Sequence, residues 1–463
     1  MLRLAGCEYG DLAKLVKKEG MEGALGVLFR NGVYLSVNEY KGRVPTLRGS
    51  STIEVGSDVL SNPHSQSHLR LHTSGSSGQS TFVPVDLAFI RERSVNHRLL
   101  IEARRGSLWR FAVWGVPGNT DIVRVLELHG SGARPIRWFS QVDPGAHGLH
   151  PRYRWSIRLM RWAARLTGFA LPWPEFVPLS DPWPIVHWLR RVLDSGHKPH
   201  ITTWVSSAIR ICQAASSLGI DMAGTQFTVG GEPLTGARLA MIQKSGAVAV
   251  PRFMSVECGY IGYGCLNPEA SDDYHSMSDF TAAIRAGQEG VRRGFPPEAL
   301  LLTSIRPSSP FILLNVSLGD QAHMERRPCG CPLEKLGWSN HFRQVRSFEK
   351  LTSGGMTFLD RDIVHVLEKT LPSLFGGTPL DYQLVEEETE EGSPQILLLI
   401  SPEVGQLDTQ EVLRCFYQAI GQGSGAERVM SLQWKSAGFI SIRRQTPRTT
   451  QTGKILHLLK TTK

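Results

Sequence analysis

The chain lacks any stretch of about 18 uninterrupted apolar residues, so nothing in it reads as a membrane-spanning helix. Low-complexity tracts are missing too. So is any block of Lys and Arg interleaved with aromatics, which argues against a nucleic-acid groove. Charge of one sign is scarce: 51 Lys and Arg against 42 Asp and Glu leave +9 over 463 residues, a surplus that suits a small anionic substrate or carrier. Cysteine is sparse and odd in number, seven in all, and Met1 to Lys18 mixes Glu8, Asp11 and lysines instead of forming an apolar leader. Both features point to a reducing, cytoplasmic setting. What remains is an ordinary globular composition, 41% hydrophobic and 20% charged, on a chain long enough for a large core and more than one domain.

One stretch concentrates hydroxyls and glycines: Thr73-Ser74-Gly75-Ser76-Ser77-Gly78-Gln79-Ser80-Thr81, directly before the extended run Phe82 to Asp86. Glycine lets backbone N–H groups approach an anion closely, and Ser and Thr add donors, which is what holding a polyphosphate needs. The plainer alternative is a flexible Gly/Ser linker. A Walker loop is excluded, because no Lys follows the last glycine.

From Thr73 to about Arg252 β-rich runs (Phe111 to Val116, Gln226 to Gly230) alternate with helical ones (Pro184 to Asp194, Ser206 to Leu218). This pattern predicts an α/β fold with a mostly parallel sheet. Residues 1 to about 70 read as one or two short helices and a strand-like Gly32 to Leu35. Between Arg152 and Leu166 a helix carries the stripe Trp155, Leu159, Trp162, Leu166 beside Arg154, Arg158, Arg161 and Arg165. Its apolar side is expected on the core. A basic docking face for CoA phosphates or an acidic carrier, and a membrane-surface helix, are the alternatives.

Gly230-Gly231-Glu232-Pro233 ends a strand and is expected to open a helix at Pro233; its glycines leave space for a flat ring, or simply make a tight turn. Arg252 to Glu257 is a second strand-to-turn passage, and a carboxylate at such an edge suits a metal–phosphate role, although a lone Glu is usually solvated. Phe311 to Asp320 reads as an apolar strand stopping at Gly319-Asp320, where Asp can accept from ribose hydroxyls. Cys265, His275, Cys329 and Cys331 are the favoured tetrahedral zinc set, with Cys258 spare; four protein ligands close the shell, so the site would be structural. Separate buried thiols are the alternative.

From about Arg346 the character changes to a small α+β domain, residues 346–463 against 1–345. Its helices are placed at Asp360 to Thr370 and Asp408 to Gly421, its strands at Gln395 to Ile400 and Phe439 to Ile442, and the acidic run Glu386 to Glu391 in a hairpin loop. Lys454, on the loop Pro447 to Ile455, can neutralise developing charge when carried into a site.

Taken together and in this order, these motifs resemble the adenylate-forming (ANL) acyl/aryl-CoA synthetases, and within them the phenylacetate–CoA ligase branch, over residues 71 to 463. Thr73 to Thr81 is similar to the family's phosphate loop, Gly230 to Pro233 to its adenine pocket, Phe253 to Glu257 to its aromatic-to-Glu motif, Gly319-Asp320 to its ribose clamp, and Thr452 to Ile455 to its C-terminal Gly-Lys. The Cys/His set resembles the branch's zinc knuckle. Met254 stands where glycine is usual, and Leu318 where threonine is.

The resemblance implies attack of a carboxylate on ATP to give an acyl-adenylate and pyrophosphate, then transfer to a thiol. The thiol would be CoA or the phosphopantetheine of an acyl carrier protein. A non-catalytic adenylate-binding module is the third alternative. It implies Thr73, Ser74, Gly75, Ser76, Ser77, Gly78 and Thr81 on the phosphates and Glu257 on Mg²⁺. Phe253, Met254, Gly231, Glu232 and Pro233 would lie about the adenine, Asp320 on the ribose, Arg346 at the hinge and Lys454 on the α-phosphate. Trp114, Trp204, Ser207 and Gly230 would line a pocket for an aryl or medium acyl acid. A homodimer is compatible with it; nucleic acid and integral membrane contact are not expected.

Overall fold

The structure, a computed structural model, describes residues 1–72, 82–115, 119–143, 155, 158, 161–162, 164–165, 171–348, 352–353, 356–357, 360–388, 394–420, 440–450 and 453–460. These residues fall into two compact units divided between Val345 and Arg346.

The first unit is built on a ten-stranded sheet. Its strands are β1 (Arg110–Gly115), β2 (Pro135–Ser140), β3 (Pro174–Phe176), β4 (Pro199–Trp204), β5 (Gln226–Gly230), β6 (Val248–Ser255), β7 (Gly259–Gly264), β8 (Tyr274–Ser276), β9 (Asp320–Arg326) and β10 (Asn340–Ser347). In space they run β9-β10-β8-β7-β6-β5-β4-β1-β2-β3. From β6 to β3 every neighbouring pair is parallel, whereas β6–β7, β7–β8 and β8–β10 are antiparallel. The parallel half is the α/β sheet expected from the alternating text. The other half differs because the tight turn after Ser255 returns the chain at once, and only a helical crossover could have kept it parallel. Strands of the parallel half are closed off from water: all six positions of β4 are buried.

The longer helices of this unit are α1 (Tyr9–Arg30), α2 (Leu87–Ala103), α3 (Asn119–Gly130), α4 (Trp183–Asp194), α5 (Val205–Ser217) and α6 (Gly236–Lys244). Gly20, at φ 71°, breaks α1 into two. Asp86 caps α2 by accepting from Ala88 N at 2.8 Å. Pro184 sits in the first turn of α4, where no N–H is needed. α2 packs on α3, and α5 packs between α4 and α6.

Four expectations are corrected here. Gly32 to Leu35 is not a strand; only Leu35 bridges, to Val316. Phe311 to Leu318 is irregular, because Asn315 takes φ 53° and its amide donates to Leu25 O and Val33 O, at 2.9 and 3.1 Å. The strand begins at Asp320 instead of ending there. Pro233 lies in a turn, and α6 starts at Gly236 behind Thr235, whose hydroxyl accepts from Arg238 N at 3.3 Å. The described residues of the 152–166 stretch are helical, but Trp155 and Trp162 are 67% and 62% exposed. Ala164 faces the core instead, and Arg161 donates to Leu171 O at 3.0 Å and stacks on Trp173.

The second unit is a four-stranded sheet of β11 (Tyr382–Glu388), β12 (Pro394–Ile400), β13 (Ile440–Arg444) and β14 (Leu458–Lys460) in the order β13-β12-β11-β14. Its core joins Leu384, Leu398 and Ile400 to Val412 and Phe416 of the helix α7 (Thr409–Ile420). Glu386 to Glu388 lie within β11, paired with Ile396, Gln395 and Pro394, so the acidic run enters the strand. Residues 389–391 lie outside the described residues.

Candidate functional site

The parallel half fixes a line of residues at the carboxyl ends of its strands, the edge where open α/β sheets take ligands. Register pairs Phe176 with Ser140, Ser140 with Gly115, Trp204 with Gly230, and Gly230 with Arg252. The glycines there are spatial necessities. A Cβ on Gly115 would lie 2.4 Å from Asp121 Oδ2, and one on Gly230 would lie 2.9 Å from Arg252 Cγ.

After β5 the chain turns at Gly231, φ 76°, a conformation glycine tolerates best. Glu232 is buried; its two oxygens accept from Ser206 N and Ser206 Oγ, each at 2.7 Å, and Arg238 lies 3.5 Å away. Its carboxylate therefore ties the β5–α6 turn to the start of α5. Glu232→Gln, which loses one charged acceptor in a sealed site, is expected to lower unfolding free energy by about 2 kcal/mol, read from urea denaturation.

At the end of β6 a bulge at Phe253/Met254 shifts the register against β7, a device that re-aims side chains. Phe253 is half-buried and meets Phe342 edge-on at 6.4 Å. In the turn that follows, Cys258 N donates to Ser255 Oγ at 3.1 Å. Burial raises the carboxyl of the half-buried Glu257. Burial also pushes the Cys258 thiol up to about 12, and both Glu257 and Asp320 add to that. Asp320 follows Gly319, φ 92°, and is half-buried. Tyr40 was not legible as a site residue. Its buried hydroxyl makes no hydrogen bond among the described residues, and burial, then Glu257, raises it.

Of the four pocket candidates, Trp114 is fully buried, and its indole N–H donates to Val177 O at 3.0 Å; it serves as packing. Trp204 lies under the Arg124 guanidinium at 4.2 Å, and Ser207 accepts from Gln141 Nε2 at 3.0 Å. Beside them is a charged cluster that sequence reasoning missed. Arg93 pairs with Glu127 at 2.6 Å, Arg124 with Asp121 at 3.0 Å, and Tyr260 donates to Glu127. Burial pushes Asp121 up to about 6 against the pull of Arg124, and draws Arg124 down to about 10 with Arg252 next in effect.

His97, bonded to Ser131 Oγ at 3.2 Å, is drawn by burial down to about 4. Its folded pKa lies below the unfolded value, so its contribution is present above about pH 6.5 and is lost as the pH falls toward 4. The loss is on the order of 3 kcal/mol, and His97→Asn should flatten that part of the stability–pH curve.

The Cys/His set converges. Ligand atoms of Cys265, His275, Cys329 and Cys331 all lie within 4.8 Å of one another, and all four residues are buried. His275 Nδ1 donates to Trp338 O at 2.5 Å, which turns Nε2 toward Cys331 Sγ at 3.1 Å and Cys329 Sγ at 3.6 Å. Amides of Asn267 and Cys331 donate to Cys265 and Cys329 sulfur, each at 3.4 Å. Hydrogen bonding with Cys265, and then with His275, pulls the Cys331 thiol far down. Three thiols, one oriented imidazole and amide donors to sulfur fit zinc. Cys258 stands apart, bonded to Ser255.

In the second unit Lys454 is half-buried on a closed turn. Its N–H donates to Thr450 Oγ1 at 3.1 Å, and its carbonyl accepts from Thr450 N at 2.8 Å. Arg346 is half-buried near the end of β10. Thr73, Ser74, Gly75, Ser76, Ser77, Gly78, Thr81 and Thr452 lie outside the described residues.

No protein-family model matches the chain, and no curated protein sequence does either. Solved structures are similar to it. Two are of a 2-hydroxyisobutyryl-CoA ligase in its postadenylation state, one holding R3-HIB-AMP and the other 2-HIB-AMP. Each is 12% identical and covers 97% of this chain and 85% of the ligase chain, with a TM-score of 0.55. At that identity the likeness speaks for architecture, and what it says is that this chain has the fold of the adenylate-forming superfamily.

Proposed function

We propose that the protein joins a carboxylic acid to AMP and then hands the acyl group to a thiol, CoA in the first instance. The observation that carries the reading is the adenylate-forming fold along 97% of the chain. The Gly231 turn and the Glu257 and Asp320 carboxylates, all on the same unit, support it.

In the first step a carboxylate oxygen of the acid attacks the α-phosphorus of ATP. The bond to the bridging oxygen breaks and pyrophosphate leaves. In the second, a thiolate attacks the acyl carbon and AMP departs with the bridging oxygen. A carboxylate is already a competent nucleophile at neutral pH, so alignment and charge neutralisation carry the catalysis. Phe253 and the Gly230–Pro233 backbone would flank the adenine, Asp320 would accept from the ribose hydroxyls, and Thr73 to Thr81 would donate to the phosphates. Glu257 would hold Mg²⁺, which supplies further charge neutralisation there. Lys454 would meet the α-phosphate, and the chain about Arg346 would act as the hinge. Cys265, His275, Cys329 and Cys331 would hold zinc as a structural clamp, with no open position for substrate.

Acid-dependent exchange of pyrophosphate into ATP, over a panel of aryl and medium acyl acids, tests the reading. Exchange with at least one acid is expected; ATP binding with no exchange for any acid would make the protein an adenylate-binding module. A second reading of the acceptor rests on the exposed Trp155, Arg158, Trp162 and Arg165, a face that suits an acidic carrier protein. Faster acyl transfer to a pantetheinylated carrier than to CoA would decide for it.

A further inference from the structure

The charged cluster between the sheet and helices α2 and α3 does not balance. Arg93, Arg124 and Arg252 bring three positive charges, and Asp121 and Glu127 two negative ones; burial keeps His97 and Tyr260 neutral. Arg93 and Arg124 each hold a carboxylate directly. Arg252 does not. It is 7% exposed, feels Asp121 and Glu127 electrostatically, and its guanidinium makes no hydrogen bond among the described residues.

Its place makes that charge significant. Arg252 is the last member of the row Trp204, Gly230, Arg252 at the ligand-binding edge. Gly230 lacks the Cβ that would collide with the Arg252 stem, so the arginine can lie across the strand end. A buried cation left without a bonded partner is unfavourable unless something neutralises it. A ligand arriving at this edge is what can do so.

We propose that the acid activated at this edge carries a second negative charge, and that Arg252 is the group that receives it. The inference rests on the adenylation reading above. The chemical class is a carboxylic acid bearing a further carboxylate, phosphate or phosphonate, presented at the strand end beside Gly230. Arg252 is a specificity residue. It leaves the reacting carboxylate alone and selects the far end of the molecule.

The test uses matched pairs: glutarate against pentanoate, terephthalate against 4-methylbenzoate, and phosphonoacetate against butyrate. Each acid is assayed by pyrophosphate exchange and by calorimetric binding to wild type and to Arg252→Met. The dianionic member should lead its partner by about tenfold or more in kcat/KM, the range of one charge-assisted hydrogen bond, and Arg252→Met should erase that lead. The pair with the larger lead distinguishes carboxylate from phosphonate as the second group. ATP affinity should be unchanged in Arg252→Met, and the melting temperature should not fall, because the substitution removes a surplus charge.

Equal or better use of the monoacids would overturn the proposal. So would a preference that survives in Arg252→Met, loss of ATP affinity (an arginine serving phosphate), or a lowered melting temperature with unchanged preference (a structural counter-ion). If no acid supports exchange, the adenylation reading fails by itself. Calorimetry then still decides: dianion binding lost in Arg252→Met supports the anion site, and no dianion binding to wild type removes it.

Discussion

Lys454→Ala is expected to lower acid-dependent pyrophosphate exchange by about a hundredfold or more, the scale of a single contact made to charge that develops in the transition state. The fold of its loop should survive the change. Thr450 and Lys454 close the turn through backbone groups and the Thr450 hydroxyl, and Gly453 N donates to Thr450 O at 2.8 Å, so the ammonium holds none of these bonds. The loss should therefore appear in kcat, with the melting temperature and ATP affinity near wild type. Lys454→Arg keeps the charge but changes its reach and shape, and should recover only part of the rate. An exchange rate unchanged in Lys454→Ala would remove the lysine from the reaction.

Loss of the metal should be the larger effect on stability. Purified protein is expected to hold about one zinc per chain, and stripping it with a chelator, or replacing Cys331 by Ser, should lower unfolding free energy by several kcal/mol. Structural zinc binding in small folded peptides is worth about 10 kcal/mol or more at neutral pH. The site ties the end of β7, through Cys265, and β8, through His275, to the Cys329–Cys331 knuckle. Behind it, Asp273 accepts from His341 at 2.7 Å and pairs with Arg327. Without the ion, three thiols and an imidazole would crowd together with little to offset their burial. Elemental analysis showing no zinc, with an unfolding midpoint indifferent to chelator, would reduce the cluster to buried thiols.

Much of the framework was legible because it is locally encoded. Gln226–Gly230 could be read to the residue, and α5 and α7 to within a residue or so, since apolar periodicity and flanking glycines mark them within a single window. The errors share one cause. Phe311 to Leu318 is apolar enough for a strand, but its amides are taken by three separate segments: Ile312 N by Leu60 O, Val316 N by Leu302 O and Ser317 N by Leu35 O. Pro233 was a sound helix opener in isolation, and Thr235 outcompeted it by supplying a cap. The Trp155 and Trp162 stripe turned outward because Ala164, the smaller side chain, is the one the core accepts.

The candidate site divides along the same line. Taken alone, the residue string could name candidate donors and mark points where the backbone must bend. Thiols and an imidazole suited to one ion, a glycine at Gly231 and a lysine on a Gly loop are properties of a residue and its immediate neighbours. It could not settle which charges share a cavity. Tyr260 meets Glu127 across 133 positions, and Arg252 comes near Asp121 only once β6 lies beside β5 and α3 covers the sheet. Electrostatic pairing depends on distance and on exclusion of water, and neither quantity exists until the strands have found their register. That is why the surplus cation beside Gly230 belongs to the tertiary structure alone.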